Sequence, residues 1–542
     1  MNATAEAELE QPAARAPEPA HSDARDFLAR TPVHIGLVSL LLLAAFVWHE
    51  SAAWSEDFPS FSLLQILFSF VNTLMPLSWC LMIVRLVHEE SLVGDRQFWV
   101  TRPYEWPSLL VAKLLFLVVF IHLPVFVAQL LLLSRAGFPI APNLTGLLGM
   151  QIGLGLLFLA PITLAVVTRS LAQALIVAIG TFLVFLAVGS LVSLVPSETM
   201  SSALENSGIL QGSLLLAAPV AAILWQYARR RTWHSRSLLL AAGAAMVLAD
   251  VVTPYRTLIE RQYPLADSAH PAPVQLSVLP PPPPVKKAPS PQRPLGNTVL
   301  ISIPVHVSAV SKHSVVLANG MLVSMDGPGN LKWDSGWNPS GMEFWPEESS
   351  STLQFSMKRH LYESIKSSPL HLHLSLALSE FKESSPRELS LPEGEFAVPG
   401  AGYCHIGRGY FPTLSCRSAL HEPGLIASGV VTNASCSEQD KVPSAPSRNV
   451  AHQLLRSGHG GFVNPGVSPI KTFSIYLQTF DDTRESPEER VRMHLCPGTL
   501  VRFATPIRSG HTRLDLQTDQ ITLEDYEVNF YGYGAVTLRA LP

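Results

Sequence analysis

Gly94-Asp-Arg-Gln-Phe-Trp-Val-Thr-Arg-Pro-Tyr-Glu-Trp-Pro-Ser-Leu-Leu-Val-Ala-Lys-Leu-Leu-Phe-Leu117 joins one long apolar run to the next. It is neither apolar throughout nor an ordinary short polar loop, because Asp95, Arg96, Arg102 and Glu105 are interleaved with Phe98, Trp99, Tyr104 and Trp106. Aromatics at headgroup level with charges turned toward water are what a segment lying in a membrane interface requires. On that reading the apolar runs to either side are membrane spans.

A helix needs about 20 apolar residues to cross the hydrocarbon. Working outward, the runs that supply them are 33–49, 61–84, 108–133, 144–167, 172–195, 209–227 and 237–253, the first and last being shortest. Residues 1–32, rich in Ala, Pro and Glu, have too little apolar surface to order alone and read as a cytoplasmic tail. Lys and Arg accumulate on the cytoplasmic side of membrane proteins. Arg15, Arg25 and Arg30 precede the first run, Arg85, Arg96 and Arg102 follow the second, Arg169 follows the fourth, and Arg229, Arg230, Arg231 and Arg236 follow the sixth. All fall on one side if the amino terminus is inside, whereas the opposite loops hold Glu50, Glu56, Asp57, Arg135, Glu198 and Glu205. Seven crossings place everything after Pro254 outside; Arg256 and Arg261 oppose this, and without the seventh crossing the second half is cytoplasmic. Pro76, Pro124, Pro161 and Pro219 each remove a helix hydrogen bond and are expected to kink or interrupt their spans. His122, two residues before Pro124, is expected as a neutral imidazole on backbone freed by the proline, and Lys113 is expected to snorkel.

The order Arg85, Glu89-Glu90, Gly-Asp-Arg-Gln-Phe-Trp-Val-Thr-Arg-Pro and Leu-Leu-Val-Ala-Lys-Leu-Leu-Phe, over roughly residues 85–117, resembles the permease subunits of ABC exporters of the type-2 family. The resemblance implies a bacterial inner-membrane protein that works beside a second permease copy. It also implies that the connection between the second and third spans faces the cytoplasm and receives a separate ABC ATPase subunit. Phe98 and Trp99 are then the contact area of that docking element, Asp95, Arg96 and Arg102 its register, and Pro103 the stop before the third span. The family ordinarily has six spans, so the seventh is an addition that exports an extra domain.

The second half has another period. Pro264 to Pro294 is proline-rich, with Pro280 to Pro284 continuous, so residues 254–296 read as a polyproline-like spacer. From Thr298 the period is two: Val299, Ile301, Ile303, Val305 and Val307 face one way. Asn319-Gly320 between Val315–Ala318 and Met321–Met325 is a hairpin signal. Leu370 to Leu378 and Phe473 to Leu477 alternate again, further strands are expected near 498–504, 512–517 and 527–539, and Met357–Lys366 reads as a helix. The fold class expected is thus an α-helical polytopic domain of six or seven spans at 33–253, followed at 297–542 by an extracytoplasmic all-β domain of one or two sandwiches. Cys404, Cys416, Cys436 and Cys496 lie in the second half and Cys80 in a span, which fits two disulfides in an oxidising compartment; three connectivities exist, with Cys404 and Cys416 the preferred local pair.

The chemistry missing from the chain is equally informative. It lacks Gly-x-x-x-x-Gly-Lys-Ser/Thr, so no phosphate cradle is recognisable, and ATP and magnesium are expected on the partner rather than here. Gly-x-Ser-x-Gly and His-Glu-x-x-His are absent, so no catalytic residue is assigned, and the chain is not expected to be an enzyme. His371 with His373, Gly458-His459-Gly460-Gly461 and the acids Asp481, Asp482, Glu485, Glu488 and Glu489 read as a polar strand face, a glycine turn and a solvated loop rather than metal or cofactor sites. The net charge of −4 averages two unlike halves and is uninformative, no basic block argues for nucleic acid, and membrane lipid is the expected surrounding partner. The alternative to a permease is a membrane-anchored extracytoplasmic binding or sensory module.

Overall fold

Backbone N–H and C=O groups in an apolar environment must be paired, and a helix pairs them within one segment, which makes helices of the apolar runs. The computed structural model describes residues 20–52, 63–88, 106–192, 207–229, 232–252, 255–268, 271–281, 297–407, 413–432, 448–456, 467–479, 495–518 and 520–528. Each expected span falls, over its described part, on a helix: α1 (Ala20–Ala52), α2 (Leu63–His88), α3 (Trp106–Leu117) continued by α4 (Leu123–Arg135), α5 (Ile140–Val167), α6 (Leu171–Val192), α7 (Ser207–Arg229) and α8 (Thr232–Val252). Among the described residues, four stretches are long and apolar enough to cross a membrane: His34–Ala52, Ile66–His88, Trp106–Arg135 and Ile140–Val167; Leu171–Val184 is apolar but shorter. Leu41, Ile176 and Leu240 are 71, 70 and 73% exposed, an apolar surface suited to lipid.

The expected interruption is absent at three of the four prolines. α2, α5 and α7 run unbroken through Pro76, Pro161 and Pro219. Only Pro124 marks a change of helix type: Val118–His122 forms a π-turn in which the Leu123 N–H donates to Val118 O. A proline ring clashes with the carbonyl four residues earlier, here that of Phe120, and a wider turn relieves the clash. His122 lies in this turn, edge-on to Phe158 with ring centroids 5.8 Å apart.

Two compact units divide the chain. The first comprises residues 1–131, 155–179 and 220–236. Its core joins Val84 and Val87 of α2 to Ala165 and Val166 of α5, Ala174 of α6, and Ile223 and Tyr227 of α7. α1 is tied to α2 by a buried hydroxyl pair, Ser39 Oγ to Ser78 Oγ at 2.7 Å.

The second unit comprises residues 132–154, 180–219 and 237–542. Its strands are β1 (Gln275–Val278), β2 (Thr298–Ser308), β3 (Ser314–Gly327), β4 (Leu331–Phe344), β5 (Ser350–Lys358), β6 (His371–Ser390), β7 (Phe396–Val398), β8 (Gly402–Ile406), β9 (Thr413–Ala419), β10 (Leu425–Thr432), β11 (Arg448–Leu455), β12 (Ile470–Tyr476), β13 (Gln478–Thr479), β14 (Leu500–Gln517) and β15 (Glu527–Val528). The expected helix is Arg359–Ile365. One seven-stranded sheet, in the order β13-β11-β10-β14-β6-β3-β4, serves two sandwiches. On its first part, Leu372, Leu374, Leu376 and Leu378 of β6 face Ile301, Ile303 and Val305 of β2 and Leu353 of β5. On its second part, Val501 and Phe503 of β14 share a core with Cys404, Leu414, Cys416 and Ile475 of the small sheet β12-β9-β8-β7. β6 and β14 are long enough to reach both cores, pairing from Gln517↔His373 to Leu500↔Ser390 through bulges at Phe503/Thr505 and Arg508/Gly510.

Three expectations need correction. Asn319-Gly320 is not a turn: β3 runs through it and bulges at Ala318/Gly320, while Asn319 Nδ2 donates to Ser379 Oγ at 2.6 Å. Buried apolar residues on both flanks keep the strand going, and the permissive dipeptide supplies the bulge. The stretches 498–504 and 512–517 are one strand, β14. Residues 254–296 are not wholly spacer. A helix α9 (Tyr255–Gln262) begins three residues after α8 ends, and Ile259 and Tyr263 are buried against Leu322, Trp337 and Ala377 of the large sheet. Arg513 N–H then donates to Pro264 O, and β1 pairs with β2. Residues 282–296 lie outside the described set, as do 458–461, the acids of 481–489 and the end of the expected last strand.

His452, 5% exposed, stacks on Trp345 at 4.7 Å with Nε2 3.7 Å from Glu347 Oε2. Burial holds its pKa below the ordinary imidazole value, against the opposing pull of Glu347; His511 is lowered by burial and by Arg508. The unfolded chain therefore binds more protons than the folded one as pH falls through about 6.5, so this stability is present above that pH and lost below it. The thermal midpoint of the full chain, followed by tryptophan fluorescence, should drop from pH 7.5 to pH 5.0, and the drop should shrink in His452→Gln/His511→Gln. An equal drop in both proteins refutes this.

Candidate functional site

The residues that the sequence singles out for docking, Asp95, Arg96, Phe98, Trp99, Arg102 and Pro103, lie outside the described residues; what is described is both flanks, α2 up to His88 and α3 from Trp106. The last carbonyls of an α-helix have no partner within the helix and carry the negative end of its dipole. At the ends of α2 and α5 they are met by cationic or polar side chains. Lys113, only 7% exposed, donates from Nζ to Val87 O at 3.3 Å, joining α3 to the end of α2. His88 Nε2 donates to Ala165 O at 3.0 Å and lies 3.1 Å from Thr168 Oγ1, joining α2 to the end of α5. Arg236 of α8 donates to Val167 O from Nη2 at 2.6 Å and from Nε at 3.2 Å. Thr168 Oγ1 returns a bond to Leu164 O at 2.7 Å.

Lys113 therefore does not reach for the interface; it is held inward by the carbonyl it caps. His88 and Arg236 drew no attention as site residues. The signal that finds them is a basic residue close to a helix end, which becomes specific only once the helices are assembled. Chemically the arrangement is a clamp. It fixes the ends of α2 and α5 to α3 and α8, and α2 and α3 lead into and out of residues 89–105.

Cys404 and Cys416 form a disulfide across the β8–β9 pair, with Cα atoms 4.0 Å apart. Cys496 is also disulfide-bonded, Cys436 lies outside the described residues, and Cys80 is a free thiol. His373 Nε2 is 3.7 Å from Asp326 Oδ2, and among the described residues no three His, Cys, Asp or Glu side chains gather as a metal site.

No protein-family model and no curated protein matches the chain. Among solved structures, red sea bream transglutaminase aligns over 51% of this chain and 35% of its own, at 7% identity and a TM-score of 0.13. A score that low does not describe a shared fold.

Replacing Arg236 with Ala leaves the Val167 carbonyl without its charged donor, a loss of about 2 kcal/mol. Thermal unfolding in detergent should show a lower midpoint for Arg236→Ala than for the wild type, with Arg236→Lys between them. Identical midpoints for all three proteins contradict the clamp.

Proposed function

We propose that this chain is the membrane-spanning permease subunit of an ATP-driven exporter in a bacterial inner membrane, energised by a separate ATPase that docks on residues 85–107. The observation that carries the reading is the carbonyl clamp of Lys113, His88 and Arg236, since a segment that transmits force needs flanks that do not yield. The resemblance of residues 85–117 to type-2 permeases supplies the chemistry: rigid aromatics at Phe98 and Trp99 for contact area, and Asp95, Arg96 and Arg102 for register. A second copy of the chain completes the pathway. The β-rich domain is placed outside, with the amino terminus inside. Arg256, whose charge opposes that placement, is engaged by Glu260 at 3.3 Å and Asp334 at 3.4 Å, so its place just after α8 has a structural cause.

The second reading, a membrane-anchored binding or sensory module, draws on the burial of α9 against the sheet directly after α8, an attachment able to pass on a movement of the domain.

Trp99→Ala/Arg102→Ala should reduce recovery of the partner ATPase on purification at least several-fold while the chain inserts at normal levels. Full recovery of the ATPase and full transport activity refute the docking role. In a Cys80→Ser background, an impermeant thiol reagent applied to spheroplasts should label Lys286→Cys and spare Gln97→Cys; the reverse pattern overturns the orientation.

A further inference from the structure

The turn between α4 and α5 is held by the β-rich domain through two contacts that belong to one hairpin. α4 ends in a Schellman arrangement: Gly137 takes φ +82°, its N–H donates to Ser134 O at 3.1 Å, and Phe138 N–H donates to Leu133 O at 3.1 Å. The Gly137 carbonyl left at the tip accepts the Tyr403 hydroxyl at 3.2 Å. The Tyr403 ring lies edge-on to Phe138 with centroids 5.2 Å apart. Six residues into α5, Gly146 forms a socket, since a Cβ there would clash with Leu420 Cδ1. The residue filling the socket has a φ of +72°, a conformation that costs a bulky side chain free energy and persists only where its surroundings impose it.

Both contacts issue from the same stiff piece. Tyr403 is on β8, and Leu420 directly follows β9. The Cys404–Cys416 disulfide clips the two strands together next to the Tyr403↔Arg417 pair. Arg417 lies 5.6 Å from the Tyr403 ring centre and is paired with Glu395 at 2.7 Å. Leu420 N–H donates to Pro469 O at 2.6 Å, which fixes the base of the knob.

We propose that the disulfide-clipped β8–β9 hairpin is a strut, with Tyr403 and Leu420 as its two points, that locks the α4–α5 turn, and that withdrawing it is the step that lets this pair of helix ends move. The disulfide then has a mechanical role: it keeps the two points at a fixed separation, so that they seat or leave together. The strut does not depend on the permease reading and would serve a sensory module equally.

The test is amide hydrogen exchange on the full chain in lipid nanodiscs, in a Cys80→Ser background. Tyr403→Phe/Leu420→Ala should speed exchange at Gly137 and Phe138 at least ten-fold, while amides of β2, β3 and β6 keep their protection. Gly146→Val should open the same turn from the other side. Unchanged exchange at the turn in both variants overturns the proposal. A second measurement is independent of how well those variants fold: Gly146→Cys/Leu420→Cys should cross-link on mild oxidation and slow exchange at the turn below the wild-type rate. Failure to cross-link, or a cross-link that leaves exchange unchanged, overturns it as well.

Discussion

A helix that ends among apolar side chains leaves its last carbonyls without water or backbone to bind them, and each one unpaired costs free energy comparable to a lost hydrogen bond. The membrane half of this protein is arranged around that constraint. Lys113, His88 and Arg236 each belong to a different helix from the carbonyl they cap, so satisfying the polar groups also joins α2, α3, α5 and α8. The same dipole that needs the cations holds them inside. Lipid provides no hydrophobic drive between apolar helices, and contacts of this kind therefore carry more of the assembly than they would in water. The Ser39–Ser78 hydroxyl pair is a smaller example of the same logic.

The β-rich half meets a different constraint, which is to keep two hydrophobic cores in one body. It does so with backbone hydrogen bonds. β6 and β14 are paired along nearly their whole length and contribute side chains to both sandwiches. Two bulges interrupt this ladder, one with its extra residue on β6 and one with it on β14, and each bends and further twists the pair locally. The residues between the two strands build the second sandwich, so the module is an insertion whose ends are fixed by the ladder that receives it. α9 covers the opposite face of the same sheet, where Trp337 would otherwise meet water.

Glycine and proline show how local chemistry is redirected by context. Gly137 is used for its conformational freedom and Gly146 for its missing side chain, two different reasons for one residue type. Of four prolines in the apolar runs, only Pro124 coincides with a change of helix type. Asn319-Gly320 has the composition of a hairpin turn and serves as a bulge inside a strand.

What the amino-acid order determined by itself is the class of each segment. Apolar runs of span length become helices because no other structure pairs their backbone, and a period of two from Thr298 becomes strands because one face must be buried; both follow from interactions within a few residues. The local cysteine pair was legible for the same reason, its members only twelve residues apart in the chain. The partners of Lys113, His88 and Arg236, the merging of two expected strands into β14, the docking of α9 in place of a free spacer, and the seating of Leu420 on Gly146 were decided only by the tertiary structure. Each depends on groups far apart in the chain meeting at a few ångströms, and no periodicity encodes that. Proline richness in 254–296 suggests a tether because composition reports what a segment cannot do alone, whereas Ile259, Tyr263 and β1 find their stability in a sheet supplied from elsewhere.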